Sequence, residues 1–579
     1  FNDSIFCFFR LLTLKQKRKI YLTALLVFVG AILEGFGVGI LFPFIQFLLA
    51  MEGYQENPIL IYGNQPQINI LYFGLVGIGV FFSAKACFGI WLNWFIAKFI
   101  FSLKAELSTE LLSRYLNLSY QDFLDHKPAS ISRNLTIEMN HLAINFLMPL
   151  TVFLSEVLVV LCISFVLLLV AFEESLIMLA FLFCIALPLR VSFGTKSSRL
   201  GDERQALEGQ IVGDVSSMIN GFKDLKIYGI GSLFLKKVSG SSYELARIQS
   251  KQNFIGSLPK LAIEWAAVFG FLSVVIVNLI AEGRISESFA GLGVLGFGGF
   301  RLLASLSRMI YSLNSISHGS PIVKMVARSF AASSENSREN EMTFELKNRF
   351  ALSNFWFSHK GSNHYLFKNA NLEVRRGESV GIIGDSGVGK STLMDIISGL
   401  LHPTSGYILV DEIDIETNLD SWRKQNSMVH QNSTIFEGTI AQNISFNEED
   451  REINTQAFRD AVEGSRISKF VERLPDGFQT KIGPGHPLLS DGQRQRIAIA
   501  RALYRQTPII ILDEYSSNLD RATEAELVQT LSGLKGTKTM IVVSHRPEAL
   551  GFCDRVVEIR DQQILDAELF ETLGPRPKL

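Results

Sequence analysis

Apolar residues dominate the first 320 positions in runs of about 20, the length at which a helix crosses a hydrocarbon core. About six such runs are predicted, at 20–50, 68–101, 147–172, 176–193, 261–281 and 289–313. The second and fourth continue into long amphipathic segments, and the third and fifth begin in them, so these helices are predicted to project well beyond the membrane. Residues 331–345 are polar, rich in Ser, Asn and Glu, and read as a linker. After it the pattern changes to short buried strands, at 379–383, 509–512 and 540–544, alternating with helices such as 393–400 and 497–503. The predicted organisation is an α-helical transmembrane domain at 1–330, a linker at 331–345 and an α/β domain at 346–579.

Composition supports the membrane assignment. Of 579 residues 48% are hydrophobic and only 19% charged, with mean hydropathy +0.24, too apolar for an ordinary soluble pair of domains. The net charge of -1 points to no partner, and no basic stripe with interleaved aromatics predicts nucleic acid. The five cysteines lack metal-ligand spacing. Arg10, Lys15, Lys17, Arg18 and Lys19 precede the first span, whereas 51–67 contains no Lys or Arg; the turn at 172–175 is acidic and 196–251 is rich in base. Positive charge stays inside, so both termini and the α/β domain are predicted to be cytoplasmic. The first apolar run is too long for a cleaved signal peptide and lacks a small-residue cleavage site.

The chemistry is carried by Gly384, Asp385, Ser386, Gly387, Val388, Gly389, Lys390, Ser391 and Thr392, a GxxxxGK[ST] loop between an apolar strand and an apolar helix. Glycines let successive N–H groups face phosphate oxygens, and the helix start adds its positive dipole end. Lys390 neutralises phosphate charge and Ser391 offers a hydroxyl to Mg²⁺. Asp513 ends the strand 509–512 as the second metal-binding residue. Glu514, one residue further on, is placed to deprotonate or orient the attacking water.

These residues resemble the nucleotide-binding domain of ABC transporters, and the resemblance extends over the whole chain. Leu489-Ser490-Asp491-Gly492-Gln493 is similar to the family signature LSGGQ, which contacts the γ-phosphate held by another subunit; one copy per chain implies a homodimeric half-transporter of the type IV exporter class. The resemblance makes Gln431 the Q-loop residue that senses Mg²⁺, Ser516 to Asp520 the D-loop, and His545 the switch histidine on the γ-phosphate. It also implies that the adenine stacks on His359, where the family commonly has Tyr, and that Ser490, Gly492, Gln493 and Asp520 complete the ATP site. Asp491 replaces a signature glycine, yet Ser490 and Gly492 still supply a hydroxyl and an N–H. Leu118 to Phe123 and Gly221 to Lys226 match the family's coupling helices.

Ionisable residues in or near the spans direct the search for cargo: Lys85, Lys260, Arg301 and Arg308, with Glu34, Glu156 and Glu264. Lys260 and Glu264 stand four apart, a spacing at which they neutralise each other. Lys85 and Arg301 have no acid nearby in sequence, which favours contact with an anionic ligand. The helical half also resembles PglK-type flippases of lipid-linked oligosaccharides, through Ile32-Leu33-Glu34, Lys85, Leu258-Pro259-Lys260 and Phe300-Arg301-Leu302 with Arg308. That resemblance implies an ATP-driven flippase in the bacterial inner (plasma) membrane, moving a polyprenyl-pyrophosphate glycan from the cytoplasmic to the outer leaflet. The external segment 51–67 would engage the lipid tail. An exporter of another amphipath, whether lipid, peptide or drug, is the alternative. An ATP-gated channel or regulator is disfavoured by the intact Glu514 and His545, and a soluble ATPase is excluded by the spans.

Overall fold

The computed structural model describes residues 6, 8–10, 12–40, 44, 66–126, 128–170, 172–282, 289–332, 343–362, 364–446, 454–483, 489–517 and 519–567. Most of the segment 51–67, most of the linker and Asn518 of the D-loop lie outside them. Two compact units result: residues 1–118 with 123–335, and residues 336–579 with the short stretch 119–122.

The first unit is helical. Its described helices are α1 (Leu14–Gly39), α2 (Pro66–Leu116), α3 (Tyr120–Leu124, whose first residues belong to the second unit), a continuous rod α4 from Pro128 to Val170, α5 (Phe172–Asn220), α6 (Phe222–Ile227), α7 (Gly231–Glu282) and α8 (Phe289–Ala332). The 51 residues of α2 make a rod of about 76 Å, more than twice the ~30 Å hydrocarbon core. Among the described residues four helices are long and apolar enough to cross a membrane: Leu14–Gly39, Tyr72–Leu116, Pro128–Leu169 and Gly231–Ser273. The apolar window of α2 has 0% of its residues buried inside the chain, so its side chains are left for lipid or another protein surface.

Near the ends of α4, α5 and α8 the packing becomes polar and sealed. Two π-helical segments, Asn134–Glu138 and Leu142–Leu147, interrupt α4. The Glu138 carboxylate, 0% exposed, meets Arg204 Nη2 at 3.3 Å, while Arg204, 2% exposed, also reaches Glu208 with Nη1 at 2.5 Å. Arg133 lies 3.8 Å from Glu138, and His141 lies 3.7 Å from Glu208. α8 covers the cluster through His318, which is buried; a methyl group at Gly201 would sit 2.3 Å from the His318 carbonyl, so only glycine permits this approach of α5 to α8.

Among the described residues the second unit contains twelve strands: β1 (Arg349–Ser358), β2 (Tyr365–Arg375), β3 (Ser379–Gly384), β4 (Ser405–Val410), β5 (Ile413–Asp414), β6 (Asn426–Val429), β7 (Gly438–Thr439), β8 (Lys481–Ile482), β9 (Ile509–Asp513), β10 (Thr539–Val543), β11 (Arg555–Arg560) and β12 (Gln563–Asp566). An antiparallel sheet has the order β2-β1-β4-β5, and a larger sheet β12-β11-β3-β10-β9-β6 is parallel except for its β11–β12 edge. β9 and β10 are buried along their whole length, as central parallel strands must be, which explains their unbroken apolar sequences. Three helices matter below: α9 (Lys390–Ile397), α10 (Asp491–Tyr504) and α11 (Arg521–Gly533).

Candidate functional site

The larger sheet brings the carboxyl ends of β3, β10 and β9 side by side, with Val543 of β10 level with Ile382 on one neighbour and Asp513 on the other. Ligands bind at such an edge in open α/β sheets. Gly384, Gly387 and Gly389 have φ of 153°, 83° and 108°, conformations that side chains strain to adopt, and they turn the chain from β3 into α9. At Gly389 a methyl group would also press to 3.3 Å from the Phe367 ring. Val388 packs on the core, while Asp385 and Ser386 are exposed on the loop. Lys390 Nζ donates to the carbonyls of Gly384 at 2.8 Å and Asp385 at 2.9 Å. Burial lowers its pKa, opposed by Glu514, Asp513 and Asp385.

Below the loop the carboxylates meet. Burial raises the Asp513 pKa, and the Ser391 hydroxyl, donating to it, offsets part of that rise; Thr392 follows on the same helix turn. Glu514 adopts φ 48°, donates its N–H to Val543 O at 2.9 Å and accepts at its own carbonyl from Gln495 Nε2 at 2.9 Å. Its carboxylate accepts from Gln431 Nε2 at 2.6 Å and lies 3.3 Å from His545 Nε2. Gln431, Glu514 and His545, from three separate sequence segments, thus converge at the end of β9. The sequence reading missed Gln495; its 2% exposure two residues beyond the signature is the structural sign of its role.

Asp395, also unforeseen, lies on α9. Burial, with Asp513 adding repulsion, pushes its carboxyl pKa up from 3.8 to about 6. A raised carboxyl pKa means the folded unit holds a proton that the unfolded chain releases, so Asp395 costs stability as pH rises from about 3.8 to about 6, with the penalty complete above that window. Asp395→Asn is therefore expected to raise the melting temperature above pH 6 and to flatten its pH dependence below it. Thermal unfolding of the whole protein in detergent across pH 4–8 checks this, and parallel curves for the variant and wild type would refute it.

An oxygen donor set at the end of β9, with a buried carboxylate of raised pKa and a serine hydroxyl on it, suits a hard cation such as Mg²⁺. Among the described residues no three of His, Cys, Asp and Glu come together to hold a metal alone. This fits Mg²⁺, which takes one or two protein oxygens and draws the rest from water and phosphate. Ser391, Asp513 and Gln431 would hold it, and it would neutralise phosphate charge.

The other predicted ATP residues stand apart from this constellation. His359 is exposed beyond β1, edge-on to Phe357 with ring centroids 5.2 Å apart. Ser490 caps α10: its hydroxyl accepts from Gln493 N at 3.2 Å, and the Gln493 side chain accepts from Ser490 N at 2.9 Å. Asp491 pairs with Arg494 in the first turn, where the helix dipole also favours its charge, and Gly492 accepts from Arg496 at 3.4 Å. Asp520 caps α11 through Thr523 N at 3.0 Å and Thr523 Oγ1 at 2.8 Å, which lowers its pKa.

In the helical unit a cavity of about 510 Å³ is lined by Glu34, Lys85, Glu156, Arg301 and Arg308 among apolar and small polar side chains from α1, α2, α4 and α8. Here the sequence expectation needs correcting. Lys85 and Arg301 do have an acid: Glu34 of α1 lies 2.8 Å from Lys85 Nζ and 2.5 Å from Arg301 Nη2. Helix packing supplies a partner that sequence proximity could not reveal. Arg308 is held by Glu156 at 2.6 and 3.1 Å. Lys260 does not line the cavity; it is exposed and 3.9 Å from Glu264, a surface pair of small energetic weight.

Comparison with known proteins gives two family matches: residues 21–291 to the ABC transporter transmembrane region, and residues 367–517 to the ABC transporter family. The ATP-dependent lipid A-core flippase of Pseudomonas putida is 28% identical over 534 residues, covering 90% of this chain and 83% of that protein. The protein of the same name from Nitrosococcus oceani is 28% identical over 361 residues, 61% of this chain, and the match spans only 60% of that relative's length. Among solved structures, a bacterial Atm1-family ABC exporter with ATP bound superposes with TM-score 0.81 over 95% of this chain and 94% of that one at 18% identity, a likeness of fold.

Proposed function

This chain belongs to the ABC exporters, with the transporter's transmembrane region followed by its ATP-binding domain, and from that premise we propose an ATP-driven flippase for a lipid with an anionic head group. The observation that carries the cargo reading is the cavity: three cations, Lys85 from α2 and Arg301 and Arg308 from α8, converge on one space among apolar walls. Relatives named lipid A-core flippases support a lipid as the cargo class. A polyprenyl-pyrophosphate glycan, moved from the cytoplasmic to the outer leaflet of an inner membrane, is the finer reading, carried by Lys85, Arg301 and Arg308 together with the sequence resemblance. Lys260 is no longer part of it.

In the ATPase half, Lys390 and the N–H groups of 384–392 bind the phosphates. Glu514 takes the proton from the attacking water, and Gln431 and His545 fix its carboxylate. Ser490 and Gly492 serve the P-loop of a second copy, which makes the working unit a homodimer, and His359 stacks on the adenine. The long arms of α2, α4, α5 and α7 and the ATPase face the cytoplasm.

Lys85→Gln is expected to lower the lipid translocated per ATP hydrolysed by about tenfold or more, since one charged hydrogen bond is worth roughly 1.5–3 kcal/mol. Proteoliposomes carrying a fluorescent lipid-linked glycan measure the ratio. An unchanged ratio would assign recognition to the lipid tail or sugar instead.

A further inference from the structure

Glu34 is the most heavily committed carboxylate in the cavity. Its Oε2 accepts from Lys85 Nζ at 2.8 Å and from Arg301 Nε at 3.0 Å, and its Oε1 lies 2.5 Å from Arg301 Nη2. Two parallel contacts to one guanidinium plus a third to an ammonium is the arrangement in which a phosphate is bound. The same cations are the ones proposed for the cargo's head group, so acid and cargo cannot occupy them together.

The helical unit contains a second cluster that shows what a purely structural ion pair looks like. Arg204 and Glu138 are sealed, with side chains 2% and 0% exposed. Glu34, Lys85 and Arg301 keep 22%, 19% and 31% exposure and open onto the cavity, where a ligand can reach them. Charge points the same way. Lys85, Arg301 and Arg308 against Glu34 and Glu156 leave one net positive charge; without Glu34 there would be two. Uncompensated cations in a cavity of low polarity are costly to keep, and they bind an anion too tightly to let it go. Exchange of one anion for another on the same cations avoids both problems. α1 is close enough for this, since a methyl group at Gly37 would lie 3.3 Å from Lys85 Nζ.

We propose that Glu34 is a resident anion that holds the head-group position on Lys85 and Arg301, is displaced by the cargo's phosphate, and returns to expel it. The inference rests on the head-group site proposed above and adds the residue that sets its affinity and its release.

The test measures binding of farnesyl pyrophosphate, farnesol and inorganic pyrophosphate to the full-length protein in nanodiscs, for wild type, Glu34→Gln and Glu34→Asp. Removing the competing charge is expected to tighten farnesyl pyrophosphate binding in Glu34→Gln about tenfold, the worth of one charged contact, to slow its dissociation similarly, and to leave farnesol unaffected. Glu34→Asp keeps the charge but shortens the reach, so it falls between the two; it decides the question if the glutamine variant does not fold. Equal or weaker binding by both variants, while wild type still prefers farnesyl pyrophosphate to farnesol, would overturn the role of Glu34 and leave the head-group site standing. No preference for farnesyl pyrophosphate over farnesol in wild type would remove the site itself. Inorganic pyrophosphate binding as tightly as farnesyl pyrophosphate would assign the site to a soluble phosphate and overturn the lipid cargo.

Discussion

Glu514→Gln is expected to bind ATP and hydrolyse it at least about 100-fold more slowly, because loss of a general base costs 10²–10⁴ in rate. The substitution isolates chemistry from architecture. Glu514 is positioned by its backbone: its N–H reaches Val543 O, its carbonyl is held by Gln495, and neither bond involves the carboxylate. Glutamine has the same shape and can still accept from Gln431 Nε2, but an amide cannot take a proton from water at neutral pH. Single-turnover phosphate release at saturating ATP, with nucleotide binding measured in parallel, separates the two effects. Near-normal release would move the base elsewhere.

Arg204→Ala is expected to destabilise the helical unit by about 3–5 kcal/mol, the usual result of removing one partner from a buried ion pair. Glu138, 0% exposed, would keep its charge with only the Arg133 guanidinium left, 3.8 Å away. Glu138 has little to gain by relaxing toward water, since α5 and α8 approach within glycine contact above it. The double variant Glu138→Leu with Arg204→Met should recover at least half of the loss, because a buried pair replaced by apolar side chains of similar volume is often neutral. Thermal unfolding in detergent reads both. A melting temperature for Arg204→Ala within a degree or two of wild type would show that the cluster contributes little.

The candidate ATP site is marked in sequence because the residues nominated for it stand at short spacing. Gly384 to Thr392 form one loop and helix start, and Asp513 and Glu514 are adjacent, so residue type and order alone nominate them for phosphate binding and water activation. The strands at 379–383, 509–512 and 540–544 were equally plain, since full burial leaves them no polar alternation. The cavity was not. Glu34 is 51 positions from Lys85 and 267 from Arg301, and nothing local marks them as partners. Charges that look unpaired along a chain are paired by helix packing, and the same is true of Arg308 with Glu156, 152 positions apart. Asp491 illustrates the converse: the sequence leaves Ser490 and Gly492 to supply the signature's hydroxyl and N–H, and Arg494, three positions later, pairs with the added carboxylate. The π segments of α4 left no recognisable trace in sequence.

The length of α2 has a mechanical consequence. α5, α7 and α8 contain Pro188, Pro259 and Pro321 within them, each of which removes a backbone N–H from its helix. After Pro66 at its start, α2 has no proline at all. It runs unhinged from Lys85 in the cavity to Leu116, just before the stretch 119–122 that belongs to the ATPase unit. That distance is about 46 Å, so a tilt of only ~5° at the cavity end swings the other end by ~4 Å. α2 is thus a stiff arm, in which a small tilt beside Lys85 becomes a displacement of several ångströms at Leu116.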